Sequence, residues 1–101
     1  MSKGGLIMDE LCEKIQELRE SRGWLESDTA AILAKSIIIE AAELLECYQW
    51  QEESIEIEAV KSEVADVLMY TISLCIHYGW DYKEVVLSKF DDIKRRYPSV
   101  K

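Results

Sequence analysis

Leu11, Ile15 and Leu18 recur at the i, i+4, i+7 spacing of a single helical face, with Glu10, Glu13, Lys14, Glu17 and Arg19 placed toward water. The pattern predicts a first helix from about Ile7 to Arg22, ended by Gly23. A second is expected to begin near Ser27-Asp28, either of which can cap its first turn, and to run to about Trp50. A third is expected to start around 52–55 and continue to Tyr78, with Gly79 as its stop. The last opens at Asp81, where Asp81 and Glu84 form a capping-box pattern. It closes before Pro98, with Lys94, Arg95 and Arg96 near its negative end.

The two middle segments depart from ordinary amphipathic helices. From Ala30 to Tyr48 the only charges are Lys35, Glu40, Glu43 and Glu46, and from Val64 to Ile76 the only charge is Asp66. A helix apolar on every side must be buried on every side. Four helices in one chain cannot easily supply that cover, so a homodimer or homotetramer, with the third helix packing across the interface, is expected. The sequence has one Pro and four Gly, which leaves long uninterrupted stretches suited to helices. The expected fold is all-α: an antiparallel bundle of about four helices, one domain over residues 1–101, without repeat or linker.

Charge narrows the partners. Twelve Lys and Arg against 20 Asp and Glu give a net charge of −8, so no basic face for a nucleic acid is expected. Cys12, Cys47 and Cys75 show no paired spacing and lie among apolar residues, which suits buried free thiols in a reducing compartment. The run from Val67 to Tyr78 lacks charge but falls short of the roughly 20 apolar residues a bilayer span needs. Residues 1–9 lack the apolar core of a signal peptide. A cytoplasmic protein without membrane contact is expected.

Candidate chemistry lies in the carboxylates. Glu40 and Glu43 project from one face of the second helix, and Glu63 and Asp66 repeat the spacing on the third. In an antiparallel pair, Glu43 lies about seven residues before the turn and Glu63 about ten after it. At about 1.5 Å per residue the two pairs are offset by roughly one turn or less. Carboxylates gathered on apolar helices repel one another and lose hydration unless a cation joins them. An all-oxygen set without His or Cys favours Mg2+, or Mn2+, over zinc, and magnesium commonly shares its shell with substrate phosphates. The alternative is that Glu40 and Glu43 stand at the edge of the apolar face and reach water. Such spacing also occurs at Glu10 and Glu13, Glu17 and Glu20, and Glu53 and Glu56.

Glu40-Ala41-Ala42-Glu43-Leu44-Leu45-Glu46, then Tyr48-Gln49-Trp50, then Glu63-Val64-Ala65-Asp66-Val67-Leu68-Met69-Tyr70 resembles the MazG-type all-α NTP pyrophosphatases, particularly the branch with the dCTP pyrophosphatases. The ending from Lys89 through Lys94-Arg95-Arg96-Tyr97-Pro98 is similar as well, so the resemblance covers about residues 20–98. It implies cleavage of a nucleoside triphosphate, such as dCTP or a modified analogue, between the α- and β-phosphates, in a role of cleansing the nucleotide pool. It also implies that Glu40, Glu43, Glu63 and Asp66 are the magnesium ligands. Ile39 precedes Glu40 where many relatives have a second acid; the dCTP-type branch also lacks it. Ile93 stands where relatives often carry Asn, which leaves one polar contact to substrate unsupplied.

Glu46, on the same helix face, is a candidate helper in catalysis, or simply a solvated carboxylate. Trp24 and Trp50 stand where dCTP-type relatives hold the base with aromatic rings; stacking contributes about 1–3 kcal/mol per base. Packing in the core or between subunits is the competing role for both. Lys35, Lys89 and Arg96 are candidate phosphate contacts, against ordinary solvated charges. Two other activities stay open. One is hydrolysis of dUTP or phosphoribosyl-ATP by the same helical core. The other is a non-enzymatic helical interaction module with a structural metal site.

Overall fold

The computed structural model describes residues 9–53 and 56–100. Among them six helices follow one another without a strand: α1 (Glu10–Ser21), α2 (Trp24–Ser27), α3 (Ala30–Glu46), α4 (Ile57–Tyr78), α5 (Tyr82–Leu87) and α6 (Phe90–Arg96). The long α3 and α4 pack along each other as a hairpin, and α1 and α5 lean on α4. The all-α expectation holds. The helix count differs because the last expected helix is divided into α5 and α6, and the connection before the expected second helix forms the short α2.

Asp9 caps α1 by accepting a hydrogen bond from the Cys12 amide at 2.8 Å. The same carboxylate accepts from the Tyr82 hydroxyl at 3.0 Å and the Lys83 ammonium at 3.1 Å, which ties α1 to α5. The expected start at Ile7 lies outside the described residues. The inward stripe is also rotated: Cys12, Ile15 and Arg19 are buried, while Leu11 is exposed. Three apolar positions on a short helix fix its face only to within one residue's rotation of about 100°. Cys12, itself a small hydrophobe, takes the inward place. Arg19, expected in water, is therefore in the interior.

Gly23 ends α1 with φ of 75°, a left-handed conformation that favours glycine. The next four residues form the separate α2, and α3 is capped by Thr29, whose hydroxyl accepts from the Ile32 amide at 3.1 Å, not by Ser27 or Asp28. Helix α3 ends at Glu46 instead of Trp50. Beyond it the chain tightens into i→i+3 bonds, with the amides of Cys47 and Tyr48 donating to Leu44 and Leu45 at 3.1 and 2.9 Å. Helix α4 stops where expected, at a left-handed Gly79 (φ 77°). The last expected helix breaks at Ser88. Its hydroxyl donates to the Val85 carbonyl at 2.9 Å and competes with the helical ladder. Asp81 caps α5 through the Lys83 amide at 2.9 Å.

The core is small. Cys12, Ile15 and Ile72 form its centre, flanked by Met69, Ile76 and Tyr82, and Leu33 of α3 is fully enclosed. Cys12 and Cys75 are buried free thiols, and Cys47 is a half-buried one. Large apolar side chains remain outside: Ile38, Ile39 and Leu45 on α3, and Ile57 and Leu68 on α4, are each more than half exposed. No helix among the described residues is long and apolar enough to cross a membrane.

Candidate metal centre

Spacing of three on an α-helix sets Glu40 and Glu43 side by side on α3, and the hairpin brings Glu63 of α4 against them. One carboxylate oxygen from each of Glu40, Glu43 and Glu63 lies within 4.8 Å of the other two. Glu40 and Glu63 are half-buried, and Glu43 opens to solvent. Asp66, one turn along α4 from Glu63, lies outside that set. Its charge nevertheless acts on both Glu40 and Glu63.

The electrostatics are those of a site missing positive charge. Burial pushes the Glu40 carboxyl up to about 7, with further push from the charges of Glu43, Asp66 and Glu63 and from a hydrogen bond with Glu63. Glu63 is raised as well, by burial first and then by Glu43 and Asp66. Its Oε1 is buried without a hydrogen-bond partner. An orphaned buried carboxylate oxygen is costly unless a proton or a cation meets it. Oxygens around an octahedral Mg2+ at about 2.0–2.1 Å stand about 3–4 Å apart, so a small inward movement of these side chains would complete such a set. The residues present fit a hard divalent cation.

One hollow opens onto the cluster and a second lies beside Asp66. The larger, about 480 Å³, lies toward the α3–α4 turn and is lined by Glu43, Glu46, Cys47, Gln51, Glu56, Ala59 and Glu63. Its charged lining is wholly acidic, so a polyphosphate could enter it only together with cations. The smaller, about 230 Å³, lies between α1, α2 and α4. Asp66 forms part of its wall, with Trp24, Tyr70, Arg19 and Asp28.

The other sequence candidates divide. Glu46 lines the larger hollow and Trp24 the smaller one, beside Asp66. Trp50, at 88% exposure, lines neither, and Lys35 is exposed on α3, also outside both. Lys89 and Arg96 belong to the segment around α6, where both pair with Asp92 at 3.6 and 3.1 Å, and α6 hardly touches the other helices. Within this chain they do not join the cluster. Sequence reasoning missed Gln51, Glu56, Arg19 and Asp28. The first two are positioned by the turn between α3 and α4, Arg19 by the rotation of α1, and Asp28 by the end of α2. None of these leaves a periodic signal.

The sequence profile of the MazG-like family matches residues 35–101, which include all four carboxylates. The human dCTP pyrophosphatase 1 (Homo sapiens) is 30% identical over 92 residues, covering 82% of this chain and 54% of that protein. The mouse dCTP pyrophosphatase 1 (Mus musculus) is 29% identical over 91 residues, again with 81% and 54% coverage. The chain thus spans about half the length of these curated relatives. Among solved structures, a pyrophosphatase from Archaeoglobus fulgidus DSM 4304 superposes with a TM-score of 0.82 at 40% identity, covering 89% of this chain and 91% of that one.

Proposed function

The chain belongs to the MazG-like family, and on that premise we propose that it is a magnesium-dependent nucleoside triphosphate pyrophosphohydrolase. The observation that carries this reading is the convergence of Glu40, Glu43 and Glu63 within 4.8 Å on a half-buried helical hairpin. In the proposed arrangement Glu40, Glu43, Glu63 and Asp66 hold Mg2+, or Mn2+ in its place. When bound, the metal neutralises phosphate charge and lowers the pKa of a coordinated water.

This chain's residues do the rest. The acidic lining of the larger hollow admits the triphosphate only in metal-bound form, which selects against free anions. Glu46, in that lining one turn beyond Glu43, takes a proton from the attacking water. The water oxygen adds to phosphorus while the bridging oxygen between the α- and β-phosphates leaves, so the products are the monophosphate and pyrophosphate. Trp24 stacks on the base in the smaller hollow, on the far side of Asp66. Lys35, Lys89, Arg96 and Trp50, remote from the cluster in one chain, act in this reading only where an assembled copy brings them to it. Assembly as a homodimer or homotetramer would also cover Ile38, Ile39, Leu45 and Leu68.

The substrate proposed is a deoxynucleoside triphosphate, dCTP or a modified analogue, supported by the relatives' names. With Mg2+, purified protein is expected to release pyrophosphate, and no orthophosphate, from at least one member of a panel of natural and modified deoxynucleotides. A panel that includes dUTP and phosphoribosyl-ATP and gives neither product removes the enzymatic reading. That result would leave a structural metal site.

A further inference from the structure

Arg19 is the only charged residue in the described interior, at 6% exposure. Its single ionic partner there, Asp28, is 4.0 Å away, beyond hydrogen-bond distance, and its Nε has no partner. A guanidinium carries five donors in a planar fork, and burying even one of them, here Nε, without a partner is costly. Nothing in the packing of α1 requires a cation at this place; Cys12 and Ile15 fill the same stripe with apolar groups. The side chain ends instead at the hollow of about 230 Å³ that Trp24 and Tyr70 wall with aromatic faces.

The chemistry of that hollow is specific. Ile15, Leu18 and Met69 make it apolar, while Arg19 and Asp28 set a donor beside an acceptor at its edge. The two carboxylates, Asp28 and Asp66, disfavour a phosphate there. A flat heteroaromatic ring with a carbonyl oxygen or ring nitrogen on its edge suits all three features. We propose that Arg19 is a specificity-determining residue, donating from its guanidinium to an acceptor on the edge of a nucleobase held against Trp24, with Asp28 keeping the fork aimed. The proposal rests on the nucleotide reading above, in which Asp66 separates this hollow from the phosphate side.

The test uses the full chain without metal and ligands without phosphate, so it does not depend on turnover. Isothermal titration compares the natural deoxynucleosides with a phenyl C-deoxyriboside, which can stack but offers no acceptor. Wild type is expected to bind at least one natural deoxynucleoside about 10–100-fold tighter than the phenyl analogue, the range of a hydrogen bond to a charged group. Arg19→Met should remove that difference and leave the phenyl analogue's affinity unchanged. In turnover the same substitution should raise KM for the preferred nucleotide with kcat retained. Wild type that binds no nucleoside, or binds the phenyl analogue equally well, overturns the proposal whether or not the variant folds. So does an Arg19→Met protein that still discriminates. Release of pyrophosphate without discrimination overturns the role of Arg19 alone; discrimination without pyrophosphate release overturns the enzymatic reading alone.

Discussion

Glu40 shows how one residue can report on the whole site. Its carboxyl titrates at about 7 in the folded protein against an ordinary 4.5, because burial and neighbouring carboxylates oppose its charge. Below about 4.5 it is protonated whether the chain is folded or not. Between 4.5 and about 7 the unfolded chain gives up its proton first, so this group's contribution to folding is lost as pH rises through that window. Glu63 is shifted in the same direction. The melting temperature of EDTA-treated protein is expected to fall from about pH 5 to about pH 7.5. Mg2+ should raise it more at the higher pH, where no proton competes for the carboxylates. Glu43→Gln should reduce pyrophosphate release by about 100-fold or more. Its metal-free melting temperature should not fall, because one repelling charge is gone from an exposed position. A structural metal site would instead lose stability or assembly. Asp9 works in the opposite sense: the Cys12 amide, Lys83 and Tyr82 hold its carboxyl well below the usual range. Its contribution is present above the ordinary carboxylate pKa and fades as the solution is acidified, and Asp9→Ala should flatten that acid limb of the melting curve.

At the scale of helices, the strongest signals were readable where chemistry and period agree. The Gly79 stop, the long α4 and the matched depth of Glu43 and Glu63 follow from turn residues and from 1.5 Å of rise per residue. What escaped were features set by tertiary contact. Leu11 and Cys12 offer competing inward faces, and only packing on Ile72 and Met69 chooses between them. That choice placed Arg19 inside and created the hollow beside Trp24. The capping of α3 escaped because Ser27, Asp28 and Thr29 are all competent caps. Thr29 serves, and Asp28 is used on Arg19 instead. Thr29→Ala should therefore cost about 0.5–2 kcal/mol in denaturant unfolding, with no change in turnover at saturating substrate. Leu33→Ala, at a fully enclosed position, should cost about 2–5 kcal/mol.

The molecule as a whole is extended for its length. Its radius of gyration is 16.3 Å, against about 13 Å for a compact domain of 100 residues. The excess has a cause in the sequence: α3 and α4 carry more apolar surface than α1 and α5 can cover, and α6 stands nearly free. Both facts suit a second copy laid against the hairpin, which would also give Lys89 and Arg96 a route to a phosphate. Leu68→Glu, which puts a charge into that exposed face, is expected to shift the mass measured by light scattering toward the single chain and to weaken turnover. An unchanged mass would place any interface elsewhere. The most direct test of the account is a titration of Mn2+ into metal-free protein, followed by the loss of the free ion's electron paramagnetic resonance signal. Wild type should take up the ion near neutral pH, and Glu63→Gln, with the helical hairpin intact by circular dichroism, should not. Equal uptake by both would contradict the claim that this hairpin gathers its carboxylates around a divalent cation.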